Sequence, residues 1–430
     1  PEQILGVGIS AQRHSLVPCS ANGEPLRHAL VWPDERARSQ ADQFLSALPA
    51  SDIASLCGLV SDPIHLLPKI LWLRENEPEA YDKTDLFCTP GPFLLHFITG
   101  QWGMDHSTAS DTMLYDMAQR TWSDTLLQAA QLDAERLPPV VSGAQTAGHI
   151  TREFAEQSNL NPQTPVAAGG GHELCAAIGS GVVAPGLCSD IIDDIEPVGT
   201  CIDALPASGT GILEIHDTPH AGPRFLLNPG FSSGANYRWF RDNFGRTEVA
   251  QTRNTFKTAY DVLNEQAADA PPGAGGIIFL PFLTGSRTPE WNRAARGMFA
   301  GLDQSHTRGH IIRAVLEGAA YALRDNIKAM AAAGAAITGI RVVGGAERNP
   351  ITEEIRAHVT GKPVSRTNVP DTGAYGAAML AAVAAGHFDS PVQAAENWIR
   401  VTRVFEPDPE AVEIYNRMHA RYRMLYDRLK

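Results

Sequence analysis

Short apolar runs alternate along the chain with stretches whose apolar residues recur every three or four positions. Residues 3–9 form such a run, the pattern of a strand buried on both faces. Residues 29–32 read as a second strand, closed by the polar cluster Pro33-Asp34-Glu35-Arg36. Helical spacing follows over residues 34–48 and 64–76. Residues 164–168 read as a strand feeding Gly169-Gly170-Gly171, and residues 277–283 as an apolar run framed by glycine and proline. The clearest helical pattern covers residues 309–333. It carries Ile312, Val315, Leu316, Ala319, Leu323 and Ile327, with Thr307 as N-cap and Gly334 as stop. A strand over residues 340–343 then meets Gly344-Gly345, a helix opens near Pro350, and a small-residue helix covers residues 374–385. Alternating strands and helices predict an α/β fold. A composition change at Pro185-Gly186 marks a domain boundary, giving domains over residues 1–186 and 187–430.

Composition narrows the function. With 43% hydrophobic and 19% charged residues, the chain can bury a sizeable core and is not intrinsically disordered. Its formal charge of −13 leaves no basic footprint for nucleic acid. No apolar run approaches the ~18 residues that a membrane span needs. The chain opens at Pro1, and no targeting signal is read there. Cys19, Cys57, Cys88, Cys175, Cys188 and Cys201 form no CxxC pair, which fits reduced thiols in a cytoplasmic enzyme. On so acidic a chain, an anionic ligand needs local backbone amides, a few basic groups or a metal ion.

Three glycine-rich turns carry candidate chemistry: Gly169-Gly170-Gly171-His172-Glu173, Gly285-Ser286-Arg287-Thr288-Pro289 and Gly344-Gly345-Ala346-Glu347-Arg348-Asn349. In the first and third, glycine stands between a strand and a helix, where amides can approach a phosphate. Each alone fits ordinary backbone geometry as well. Taken in order with Gln12-Arg13-His14, Val31-Trp32-Pro33-Asp34-Glu35-Arg36, Phe279-Leu280-Pro281-Phe282-Leu283-Thr284 and Arg313-Ala314-Val315-Leu316-Glu317-Gly318, they resemble the FGGY carbohydrate kinases, and among these the xylulose kinases. The resemblance covers nearly the whole chain.

It implies an α/β fold of two actin-like (ribonuclease H-like) ATPase domains with a central cleft. It also implies transfer of the γ-phosphate of ATP, with Mg²⁺, to a hydroxyl of a ketose such as xylulose or a related sugar or polyol. The sugar would meet Arg13, His14, Trp32, Asp34 and Arg36, mainly on the first domain. The nucleotide would meet Gly344, Gly345, Ala346 and Asn349 on the second, with residues 193–195 as a phosphate loop. Read structurally instead, Asp34 is the N-cap of the next helix and Trp32 a core residue. The partner is a small-molecule sugar, with neither nucleic acid nor membrane, and a homodimer is open.

The pattern is broken at three places. The family has a further strand and a glycine-rich phosphate loop before the segment at Gly8, and this chain begins after them. Asp193-Asp194 stands where a glycine-threonine-serine-like loop is expected, and two carboxylates repel a triphosphate unless a metal intervenes. His172 stands at the position of the family's aspartate base. A neutral imidazole accepts a proton but is a poorer Mg²⁺ ligand than a carboxylate. Glu173 takes the role if the turn shifts by one residue, and His172 is then a plain turn residue. These departures raise an alternative, a catalytically impaired sugar- or nucleotide-binding relative.

Overall fold

The computed structural model describes residues 4–206, 213–286, 290, 292–344 and 350–429. The chain forms two compact units, each discontinuous in sequence. The first comprises Pro1–Ala184, Cys201–Leu226 and Asp371–Ile399; the second comprises Pro185–Thr200, Leu227–Pro370 and Arg400–Lys430.

In the first unit the strand Pro165–Gly171 is central. It runs parallel to Val7–Ala11 and antiparallel to Thr146–His149. The expected strand ends at residue 168, but the observed one continues through all three glycines, and the helix His172–Gly179 begins at the next residue. Backbone proximity explains the glycines. A Cβ on Gly169, whose φ is +71°, would lie 1.8 Å from the carbonyl oxygen of Ile9. The helix Thr372–Ala384 packs on His172–Gly179 just as closely. A Cβ on Gly376 would stand 1.9 Å from the carbonyl oxygen of Cys175. Ile9, Leu95, Ile98, Val166 and Ala168 fill the core beneath the sheet. A separate cluster, including Leu16, Leu30, Phe44, Leu67 and Ile70, is built around the helices Arg38–Ala47 and Leu66–Asn76. Residues 29–32 form no strand. Leu30 makes a single bridge to Leu16, and the chain turns away at Pro33.

The second unit holds a mixed sheet in the order Arg224–Ser232, Ile195–Ile202, Gly186–Ile192, Ile337–Gly344, Val364–Thr367, Val401–Phe405. Gly186–Ile192 runs parallel to Ile337–Gly344 and antiparallel to Ile195–Ile202, so Asp193 and Asp194 form the tip of a hairpin. The long helix is Arg308–Ala332, with Thr307 and His310 in a capping box and Gly334 at φ +96° after it. Its apolar face packs with Phe240, Ile277, Phe279, Ile355, Tyr415 and Tyr422. The Arg313–Gly318 motif contributes a buried polar staple. Arg313 donates through Nε to Glu317 at 2.8 Å and through Nη2 to the Tyr415 hydroxyl at 2.9 Å. Tyr415 in turn donates to Glu317 at 2.7 Å.

Candidate active site

Parallel pairing sets Ala11 beside Gly171, so the chain leaves both strands at the same edge. Arg13 and His14 follow one strand; His172 and Glu173 open the helix after the other. Gly171 has no side chain where the Arg13 methylenes pass, and a Cβ there would stand 2.3 Å from Arg13 Cδ. Arg13, 4% exposed, donates through Nε to Glu173 Oε2 at 2.9 Å and through Nη1 to Asp111 Oδ1 at 3.0 Å. His14 adopts φ +60°, an uncommon conformation for a residue with a side chain, and its Nδ1 lies 2.8 Å from Asp111 Oδ2.

Other elements complete this polar floor. His65, at the start of the helix Leu66–Asn76, sets Nδ1 3.1 Å from the carbonyl oxygen of Asp111. Lys69, one turn on, donates to the carbonyl oxygen of His14 at 2.9 Å and to that of Ile64. Glu214 and His216 share one face of the strand Glu214–Asp217. Their side chains meet at 3.0 Å, and His216 Nδ1 lies 3.5 Å from Arg13 Nη1.

Burial opposes charge on Glu173, but Arg13 and then His14 outweigh it and hold the carboxyl down at about 2. Asp111 is held well below the carboxylate range by the same two neighbours, against its burial. Burial lowers Lys69 to about 8, although Asp111, Asp34 and Asp62 oppose the shift. His14, His65 and Asp111 offer donor atoms within 4.8 Å of one another, a spacing a metal ion could use. Arg13 already occupies that carboxylate, so a cation there would face a fixed positive charge.

The remaining sequence candidates of this unit lie apart from that floor. His172 is exposed; its Nδ1 is 3.4 Å from Ser10 Oγ, and its ring covers Gly373. Trp32 is 37% exposed and is not a core residue. Asp34 is not the helix N-cap, which is Ala37. Its carboxylate accepts from Arg36 at the backbone nitrogen (3.0 Å) and at Nε (2.8 Å). The Arg36 guanidinium lies 4.9 Å from the Trp72 ring centroid.

The second unit contains a cavity of ≈ 400 Å³. Its wall includes the apolar Val315, Leu316 and Ala319 of the long helix and the aromatic Tyr237 and Tyr260. Asp193, Asp194, Arg238 and Arg356 add charge. The first amides of the helix Gly234–Phe244 are tied to the hairpin tip: Gly234 N donates to Asp193 O at 3.0 Å and Ala235 N to Asp194 O at 3.3 Å. The Asp194 carboxylate meets Arg238 at 2.6 Å. Gly344 sits at φ +84° beside Ile192, so the third glycine turn starts next to this hairpin. Gly345, Ala346 and Asn349 lie outside the described residues, as do residues 287–289 of the second turn.

Residues 1–179 match the profile of the N-terminal domain of the FGGY family of carbohydrate kinases, and residues 213–385 match that of its C-terminal domain. The chain belongs to this family. It is an FGGY carbohydrate kinase, and membership brings the use of ATP. A xylulose kinase of Staphylococcus epidermidis is 30% identical over 99% of this chain and 83% of its own length. A glycerol kinase of Citrifermentans bemidjiense is 31% identical, covering 95% of this chain and 81% of its own. Among solved structures, a xyloylose kinase from Brucella ovis superposes with a TM-score of 0.88 at 27% identity, covering 99% of this chain and 84% of that one. The two-domain actin-like α/β architecture expected from the sequence is the fold of such neighbours. No helix among the described residues is long and apolar enough to cross a membrane. None of the six cysteines of this FGGY kinase is in a disulfide, and all are buried.

Of the side chains gathered in this floor, the sequence candidates include Arg13, His14 and Glu173 but not Asp111, His65, Lys69, Glu214 or His216. Asp111 carried one usable signal, a polar run from Asp105 to Thr112 between apolar segments. Glu214-Ile215-His216 alternates as an ordinary strand does, and nothing local ties it to Arg13.

Proposed function

We propose that this FGGY kinase phosphorylates a ketose of the xylulose type or a related neutral polyol, with the sugar on the first unit and the nucleotide in the cavity of the second. The sequence domains 1–186 and 187–430 approximate this division, although the first unit also takes Cys201–Leu226 and Asp371–Ile399. The observation that carries the sugar assignment is the joint engagement of Arg13 by Asp111 and Glu173, with His14 on the same Asp111 carboxylate. Such a floor supplies fixed donors and acceptors for a polyhydroxylated ligand. It also carries three carboxylates, those of Asp111, Glu173 and Glu214, against Arg13 and a Lys69 whose charge is weakened. That balance favours a neutral sugar over an aldonate.

Transfer joins the γ-phosphorus to a sugar hydroxyl oxygen, breaks its bond to the β–γ bridging oxygen and releases ADP. Little covalent chemistry falls to the protein, and positioning dominates. Glu173, ionised and at a helix N-terminus, accepts the hydrogen bond of the reacting hydroxyl, orients it and takes its proton as the bond to phosphorus forms. Its low basicity suits a loose transition state, in which the proton leaves late. We assign no proton transfer to His172. In the second unit, Val315, Leu316, Ala319, Tyr237 and Tyr260 offer an apolar and aromatic wall for the nucleoside. The Asp193 carboxylate is a hard oxygen donor of the kind Mg²⁺ prefers and fits that ion, whereas the Asp194 carboxylate would join it only on leaving Arg238. Mg²⁺ held there would offset the repulsion between the two carboxylates and the polyphosphate. We place the enzyme in the cytosol, in keeping with its cysteines.

Coupled ADP release by the full-length enzyme tests the proposal, with pentuloses, hexuloses, glycerol and gluconate as acceptors. Turnover is expected with a pentulose, and less with gluconate. Binding of sugar and nucleotide by calorimetry without turnover on any acceptor would sink it and leave the impaired relative.

A further inference from the structure

Arg356 lines the cavity of the second unit, yet its side chain is only 2% exposed. It belongs to the helix Pro350–Thr360. Its Nε donates to Asp190 Oδ2 at 2.8 Å, and its Nη2 donates to Glu196 Oε2 at 2.8 Å. Asp190 lies on the strand entering the Asp193-Asp194 hairpin and Glu196 on the strand leaving it, and both are fully buried. One guanidinium therefore bridges both strands of the hairpin and ties them to a helix from a distant part of the chain.

The cluster sets two buried carboxyls against one guanidinium. Burial pushes the Glu196 carboxyl well above the usual range against the pull of Arg356, and hydrogen bonding to Asp190 adds to the rise. A guanidinium fork held by two buried carboxyls selects one arrangement of the elements that carry them, although Asp190 Oδ1 and Glu196 Oε1 accept no hydrogen bond among the described residues. Stability alone is a poor account of it, because apolar side chains of similar volume often replace buried ion clusters without loss. What this network fixes is the seat of the hairpin tip, whose Asp193 and Asp194 line the same cavity as Arg356.

We infer that Arg356 is a positioning residue for the nucleotide: it locks the 193–194 hairpin onto the helix Pro350–Thr360 and so presets the wall that receives the polyphosphate. The inference rests on reading this cavity as the nucleotide site. Lysine is a poor substitute, since a single ammonium lacks the planar fork that reaches two carboxylates in fixed geometry.

The test is steady-state kinetics of the full chain, with ATP and sugar varied separately, on Arg356→Lys, Arg356→Met and the triple variant Asp190→Asn/Glu196→Gln/Arg356→Met. The triple variant removes the charges together, leaves no carboxylate buried without its partner, and carries the test if Arg356→Met alone fails to fold. All three are expected to raise KM for ATP, by about tenfold in the triple variant, with KM for sugar within about twofold and Arg356→Lys mildest. An unchanged KM for ATP in a triple variant with native circular dichroism overturns the inference. So does an equal rise in both Michaelis constants, which marks a merely structural role. Ala319→Phe separates this from the reading beneath it, because Ala319 lines the cavity but takes no part in the network. If Ala319→Phe leaves ATP binding unchanged by calorimetry, the nucleotide reading of the cavity fails and the inference falls with it. If Ala319→Phe weakens ATP binding and the Arg356 variants do not, the cavity reading stands and the Arg356 role alone fails.

Discussion

Arg13 donates to Glu173 across 2.9 Å, although 160 residues separate them in the chain. The pair exists because two parallel strands end together and because Gly171 leaves room for the arginine stem. Its effect is to hold Glu173 ionised at the start of a helix, where the helix dipole also favours negative charge.

Replacing Glu173 by Gln keeps the shape and removes the charge. We expect kcat to fall by about 10²–10⁴-fold with a small change in KM for sugar, the size of effect that a positioned proton acceptor supplies. His172→Asn should retain kcat within about tenfold, since that ring is exposed and packs on Gly373. ADP-release kinetics decide, and a larger loss for the histidine variant would reverse the assignment.

The same carboxyl predicts a pH dependence of stability. Its folded value of about 2 lies below the ordinary 4.5, so the folded state favours the ionised form. Its contribution is present above pH 4.5 and is lost as pH falls toward 2. Urea unfolding of the native enzyme and of Glu173→Gln should therefore converge as pH drops through this window.

Lys69 acts with the same sign in a higher pH window. Its folded value of about 8 lies below the ordinary 10.5, so between these values the unfolded chain binds a proton that the folded chain has shed. This group makes stability rise as pH climbs from 8 to 10.5. Lys69→Met should lack that rise, which denaturant midpoints at the two ends of the window measure.

Gly376→Ala tests the close packing of the helices Thr372–Ala384 and His172–Gly179. The new methyl would meet the carbonyl oxygen of Cys175 at 1.9 Å, a backbone atom that cannot rotate away. Destabilisation of about 1–3 kcal/mol or more is expected, read from thermal or urea unfolding. A neutral substitution would show that these helices slide apart freely.

Glu317 predicts a loss of stability without loss of chemistry. Glu317→Ala leaves Arg313 buried without its carboxylate, which should cost about 3–5 kcal/mol while KM for ATP and for sugar stay unchanged in the folded enzyme. The Arg313–Gly318 motif helped to reveal the family, yet its charged residues hold together the helices Arg308–Ala332 and Pro409–Leu429 through Tyr415.

Local pattern was enough for the long elements. The helix expected over residues 309–333 is observed as Arg308–Ala332, and Thr307 caps it as expected. Apolar periodicity and capping act over a few residues, so they are written in adjacent letters. The strand expected at residues 29–32 failed because an apolar run also suits a loop that contributes Leu30 to a core. Asp34 failed as a cap because its carboxylate closes onto Arg36 first.

By itself the sequence determined the alternating α/β order and the family, and it pointed to Arg13, His14 and Glu173 of the polar floor. The tertiary structure alone decided their company. Asp111, Lys69 and His216 arrive from three further segments, and the buried Asp190 and Glu196, odd residues for a strand, make sense only once Arg356 lies between them. The reason is physical: a buried charge requires a partner in space, and the chain can supply that partner from any distance along its length.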